Sequence, residues 1–390
     1  MNTTDGEITI AAGNTTVVTS PVRSGTYALR FNPTAGYAGN SFIFKGSDTT
    51  DGYYARCYIR IATLPSVTHG IFIFYSVSTG RDIGIRLTTT GTLQLYNFED
   101  SAQIGSASST LSTNTWYCVE LKVDSTTSAS TSCEARLDGV SFASGTASLS
   151  GGQSSLEFGV PEVATTVDYY MDDIVLNDDS GSFQNSWPGE GELIHLRPNA
   201  VGDNADWVEN AVGDSADAVD EVTPNDGTDY LGSSTLNETT DVNLAATPAA
   251  LESGDTISCV QVGARFRTNS TAGTVPQFVL RIKASSGGTV EESGTIEISA
   301  TTNWVTHSTQ TPKNYNLTLY DLPGASTTAW TKTDLDAAQI GVKLINNSTG
   351  QAQVTTLWLL VDHKPGAAVA SGGNDWPIMT TRGNFWGWRY

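Results

Sequence analysis

The sequence predicts an all-β protein built as two tandem β-sandwich (jelly-roll) domains with a short C-terminal tail. Three observations carry this. Charged residues make up only 16% of the chain, and Thr, Ser, Asn and Gly supply the polar share, a composition that suits strands and tight turns better than helices. Apolar and polar residues alternate with a period of two in one short stretch after another. The chain is 390 residues long, more than one hydrophobic core comfortably organises.

The elements follow in order. "DGYYARCYIRI" puts Ala55, Cys57, Ile59 and Ile61 on one face and Tyr54, Arg56, Tyr58 and Arg60 on the other. "GIFIFYSV" is a nearly continuous apolar run, as expected of a strand covered on both faces. "DIGIRLTTTGTLQLYNF" reads as two strands about a turn at Gly91, and "WYCVELKV" and "CEARLDGVSF" follow, the second with an Asp138-Gly139 hairpin signal. "SLEFGV" and "DYYMDDIVL" complete a first domain over residues 1–178. The next stretch, "NDDSGSFQNSWPGEGE", is made of turn formers, which predicts a linker over 179–192. Residues 197–250 are acidic and predict loops and short strands. From Thr256 a second strand set begins, with "TISCVQVGARFR", "QFVLRIKAS", "AQIGVKLIN" and "QVTTLWLLVDHKP", so a second β-sandwich is expected over 193–365. "GAAVASGGND" then leads into an aromatic tail within 366–390.

A net charge of −21 with only 20 Lys and Arg leaves no basic stripe for nucleic acid. No apolar run is long enough to span a membrane, so no membrane insertion is expected. "MNTTDGEITIAAGNTT" has neither the basic flank nor the apolar core of a signal peptide. The cysteines Cys57, Cys118, Cys133 and Cys259 form no C-x-x-C pair, and alternation puts Cys118 and Cys133 on opposite faces, so four free thiols are expected.

"SGTYALRF", "NTWYCVELKVD" and "YYMDDIVL", in that order over residues 1 to about 178, resemble the concanavalin-like and laminin-G-like jelly rolls. The continuation "DDSGSFQNSWPGEGELIHLRPNA" into a second β-domain resembles minor structural proteins of tailed bacteriophages. The second resemblance implies a non-enzymatic virion protein decorating a tail or capsid. Such a protein would be made in the host cytoplasm, form homo-oligomers and bind other virion proteins, with host-surface glycans as a further expected contact. The alternative reading is a free carbohydrate-binding module or a glycan-degrading enzyme with a jelly-roll domain.

The chemistry is weighed against that background. Glucanases with this jelly roll carry E-x-D-x-x-E on one strand, and no glutamate here has an aspartate two positions later. Asp172 and Asp173 are adjacent and on a regular strand would face opposite ways, so no dyad is expected. The histidines His69, His195, His307 and His363 are scattered. These points predict no enzyme and no catalytic residue. The jelly-roll resemblance implies a structural calcium ion near the last strand, with Glu7, Asp172 and Asp173 as its oxygen donors. Tyr54, Arg56, Tyr58 and Arg60 are the candidate surface for a glycan or a partner, with Phe72, Phe74, Tyr96 and Phe98 on neighbouring strands; the competing expectation is that they lie under a neighbouring domain. In the tail, Trp376, Arg382, Phe385, Trp386, Trp388, Arg389 and Tyr390 are expected to anchor the chain on another subunit.

Overall fold

The computed structural model describes residues 9–12, 14–48, 52–76, 79–124, 130–179, 184–210, 213–221, 226–270, 275–298, 304, 317–319, 321–322, 325–346 and 350–366. The described chain is nearly all β, as the sequence predicts.

Four large antiparallel sheets pack as two sandwiches. The first sheet has the spatial order Thr9–Ala12, Gly36–Asp48, Gln153–Thr165, His69–Ser76, Gly80–Leu87, Leu93–Asn97, Ala102–Ile104. The second sheet runs Val140–Ala147, Thr131–Leu137, Trp116–Asp124, Gly52–Thr63, Asp168–Asp178, Ala28–Phe31, Thr15–Val18. Their inner faces meet in one core that includes Phe31, Cys57, Ile59, Phe72, Phe74, Ile85, Leu95, Val119, Leu121, Phe158 and Tyr169. Alternation along Gly52–Thr63 explains this strand's share of that core: Ala55, Cys57, Ile59 and Ile61 are all buried in it.

The third sheet runs Val208–Glu209, Leu231–Ser233, Ala352–Lys364, Thr256–Thr268, Leu317–Leu319, with Glu192–Leu196 also paired to Ala352–Lys364. The fourth runs Pro198–Ala205, Thr239–Leu244, Gln339–Asn346, Gln277–Lys283, Glu291–Glu292, with Ile296–Glu297 also on Gln277–Lys283. Trp207, Val260, Phe266, Phe278, Ile340, Leu357 and Leu359 belong to their common core. Among the described residues there is one short helix, Lys332–Ala337, whose N-terminus carries a capping box between Thr331 and Asp334. The described residues of 206–221 form turns and the two-residue strand Val208–Glu209, in line with the turn preference of Gly213 and the aspartates. All four cysteines are free thiols; Cys57 and Cys133 lie in the first core and Cys118 on the opposite face.

The two strand sets meet along a polar seam. Arg56 is fully buried there and donates to Asp362 Oδ1 at 3.0 Å, to the Gly189 carbonyl at 3.1 Å and to the Asp173 carbonyl at 3.3 Å. The Gly189 amide donates to Glu120 at 2.7 Å, and the Gly191 amide to the Tyr58 hydroxyl at 3.2 Å. The Arg23 guanidinium rests on the Tyr58 ring at 3.4 Å and reaches Asp173 at 2.6 Å.

Candidate functional site

The face chosen from sequence lies in this seam. Arg56 and Tyr58 are buried, Tyr54 and Arg60 half-buried. Tyr54 meets the Trp187 ring edge-on at 5.4 Å, and Arg60 lies 5.8 Å from the Tyr170 ring. The alternation that placed these four side chains together is real; what covers them comes from residues 187–191 and from Ala352–Lys364, too distant in sequence to be read locally. As an open binding surface this reading is corrected, at least for Arg56 and Tyr58.

Asp172 and Asp173 do not face opposite ways. The register breaks between Asp172 and Val175, and Asp173 takes a left-handed φ of +48°, which turns both carboxylates toward residues 23 and 24. Asp172 accepts from the Arg23 amide at 2.8 Å, and Asp173 accepts from Arg23 at 2.6 Å, from the Ser24 hydroxyl at 2.5 Å and from the Leu193 amide at 2.9 Å. Burial, with the Asp173 charge beside it, pushes the Asp172 carboxyl up to about 6 against the pull of backbone amides. These oxygens are engaged by N–H and O–H donors, and among the described residues no group of three or more His, Cys, Asp or Glu is arranged for a metal. Glu7 lies outside the described residues, as do Trp376, Arg382, Phe385, Trp386, Trp388, Arg389 and Tyr390.

The outer face of the first sheet carries a different constellation. Strand pairing sets Glu157, Ile73, Gly84 and Tyr96 in one row across four strands, and Gly70, Arg86 and Gln94 in the next outward row. Each is the outward partner of a core residue: Leu156 and Phe158 flank Glu157, Ile85 and Leu87 flank Arg86, and Leu95 precedes Tyr96. Gly84 is required, since a Cβ there would lie 2.7 Å from the Phe72 carbonyl oxygen and 2.9 Å from Ile73 Cα. Two ion pairs span the face: Arg81 Nε to Glu157 Oε2 at 2.7 Å, and Arg86 to Glu162 Oε1 at 2.9 Å. The second Glu162 oxygen accepts from the Gly70 amide at 2.7 Å, which fixes the carboxylate. The Arg86 guanidinium lies 4.2 Å from the Tyr96 ring centroid, and Tyr96 meets Phe98 edge-on at 5.1 Å. Arg86 Nε is buried without a hydrogen-bond partner.

Two arginines and two glutamates cancel here, so this face escapes the chain's net charge of −21. A polar surface with fixed hydrogen-bonding groups and an aromatic pair has the chemistry that sugar rings require: apolar C–H faces meet aromatics and hydroxyls meet planar charged groups. The nearby titratable groups are buried. His69 is held neutral, its imidazole pushed down to about 4 by burial. Burial raises the Asp82 carboxyl to about 7, and Glu99 adds to the rise, while Thr79 and Gln153 donate to it.

Residues 4–171 match the family model of a Cip1-like, polysaccharide-lyase-like core domain. The outer-face constellation falls inside that match. Among solved structures, the chain is similar to the cellulose-induced protein Cip1, at 17% identity over 49% of this chain and 96% of that one, with a TM-score of 0.38. It is also similar to an endo-β-1,4-glucuronan lyase from the fungus Trichoderma reesei, at 13% identity over 44% and 92%, TM-score 0.32, and to a Trypanosoma rangeli sialidase, at 15% identity over 38% and 25%, TM-score 0.30. No curated protein sequence matches.

The match over residues 4–171 overturns the phage reading: a virion, capsid or tail protein is not what these strands resemble, and the glycan-active alternative fits better. It also overturns the expectation of no enzyme. That expectation rested on a missing E-x-D-x-x-E, on Asp172 and Asp173 facing apart and on scattered histidines; the first is a hydrolase's carboxylate pair, which an elimination does not use. Arg81, Arg86, Glu157 and Glu162 were missed by sequence reasoning. For Arg86 and Glu157 the signal was there in "IRL" and "LEF", each a single charge between apolar neighbours on a strand; Arg81 and Glu162 carry no such mark. Of the aromatics named from sequence, Phe72 and Phe74 are core residues, whereas Tyr96 and Phe98 lie on this face.

Proposed function

We propose that the protein acts on a polysaccharide, taking the chain across the outer face of the first sheet and cleaving it by elimination. The observation that carries this is the Arg86–Tyr96 stack fixed by Glu162, beside the Arg81–Glu157 pair, within the segment matched by the polysaccharide-lyase-like family model. Elimination from an acidic sugar needs a cation on the carboxylate, a group that removes the proton α to it, and a proton for the oxygen that departs as the C–O bond breaks and the double bond forms. The Arg86 guanidinium, which gives Glu162 one terminal nitrogen, is the cation on this face for the first task. Tyr96 supplies a hydroxyl for proton transfer on the same face. Glu162 and Glu157 act as positioning residues by holding the two arginines.

The test is incubation of the full chain with separate acidic and neutral polysaccharides, following the ultraviolet absorbance of the unsaturated product and retention of the chain in gels that contain each polymer. Product from an acidic polymer, lost in Arg86→Ala and Tyr96→Phe, supports the reading. Neither product nor retention with any polymer overturns it.

A further inference from the structure

The third sheet carries a second arrangement of this chemistry, outside residues 4–171 and unused by the proposed reaction. Along Thr256–Thr268, Val262, Ala264 and Phe266 enter the core, so Arg265 and Arg267 face outward. Leu231 is buried in the same core, which turns Tyr230 and Gly232 outward on the neighbouring edge. Pairing aligns Gly232, Gln353 and Arg267 in one row. Gly232 leaves room for the Gln351 side chain, whose amide would lie 2.5 Å from a Cβ there.

Over this row the Arg267 guanidinium lies 4.4 Å from the Trp304 ring and 5.7 Å from the Tyr230 ring, and the two rings are 6.0 Å apart. The Trp304 indole N–H donates to the Asp226 carbonyl, which holds the ring in place. Arg265 clamps the Asp226 carboxylate at 2.8 and 2.6 Å and is thereby spent. Arg267 is not. Its Nε donates to the Gln353 amide oxygen at 2.7 Å, and among the described residues no carboxylate meets it. Arg56, Arg81, Arg86, Arg265 and Arg281 all meet one. A half-buried guanidinium that no carboxylate among the described residues meets can pair with an anion from outside the chain.

We propose that Arg267, Trp304 and Tyr230, with the Gln351 amide beside them and buried Gln353 holding Arg267 and Gln351 from beneath, form a second saccharide site that takes an acidic sugar. The anionic group would sit on the terminal nitrogens of Arg267, and the sugar ring would lie against the aromatic edge. This site would hold a polymer and would not cleave it. It stands apart from the first-sheet reading and does not require it.

The experiment uses the full chain carrying Arg86→Ala, so that first-sheet binding is removed, titrated calorimetrically with an oligogalacturonide, with maltohexaose as neutral control and inorganic sulfate as free anion. Saturable binding of the oligogalacturonide that falls at least tenfold on adding Arg267→Ala or Trp304→Ala, with maltohexaose weaker, is expected. Arg267→Lys keeps the charge and loses the planar stack; it should fall between the two and guards against a folding defect, checked by circular dichroism. Binding unaffected by either Arg267 variant, or no binding in the Arg86→Ala chain, overturns the proposal. Sulfate bound as tightly as the oligogalacturonide also overturns it, leaving a plain anion site. In a chain that keeps Arg86, Arg267→Ala should weaken polymer retention and leave elimination intact, so the two readings fail separately.

Discussion

Replacing Arg56 by Met removes a fully buried guanidinium while keeping most of its volume. Three acceptors lose their donor: Asp362 Oδ1, the Gly189 carbonyl and the Asp173 carbonyl. Asp362 is only 4% exposed, and burial already pushes its carboxyl above the usual range despite Arg56. Breaking one side of such a buried pair costs about 3–5 kcal/mol, because the remaining charge stays out of water. The Arg56→Met chain should therefore lose about 4 kcal/mol in urea unfolding followed by tryptophan fluorescence. Adding Asp362→Leu removes the stranded carboxylate, and the double variant should recover at least half of that loss. A single-variant loss under about 1 kcal/mol, or a double variant no better than the sum of its parts, would refute a closed and dry seam.

Further outcomes follow from the same geometry. The Asp172 carboxyl sits at about 6 in the folded chain and lower when unfolded, so the folded state holds the proton more tightly and stability falls as pH rises from about 4 to 6; Asp172→Asn should flatten unfolding midpoints across that window, and an unchanged slope would contradict the placement. Asp173→Ala removes the acceptor of Arg23, Ser24 and Leu193 and should cost about 3 kcal/mol or more, read by thermal melting. Gly84→Ala should destabilise by about 1–3 kcal/mol and weaken polysaccharide retention as well, since its Cβ displaces the backbone of Phe72 and Ile73 beneath the Tyr96 row.

How far the fold was legible depends on how local its causes are. The core face of Gly52–Thr63 follows from alternation alone, and every apolar residue assigned to it is buried. What covers the other face does not: Asp362 lies 306 residues from Arg56. Asp172 and Asp173 show the same limit, because one left-handed residue at a bulge overrides the strand rule that set them apart. The first-sheet face was half legible. Tyr96 and Phe98 drew notice as aromatics, while Arg81, Arg86, Glu157 and Glu162 look in sequence like ordinary outward charges until pairing brings them from distant hairpins. The phage resemblance failed for a related reason: degenerate strand marks report a sandwich and say little about the surface it carries.

Arg86 is where the account is most exposed. Wild-type and Arg86→Ala chains, each also carrying Arg267→Ala so that the third-sheet site does not contribute, should be compared by affinity electrophoresis in gels containing an acidic polysaccharide. The account predicts that the wild type is retarded, that Arg86→Ala loses at least tenfold in affinity, and that its melting temperature stays close to wild type because Glu162 keeps the Gly70 amide and partial solvent access. A wild-type chain retarded by no acidic polysaccharide, or an Arg86→Ala chain retarded as strongly as wild type, would contradict it.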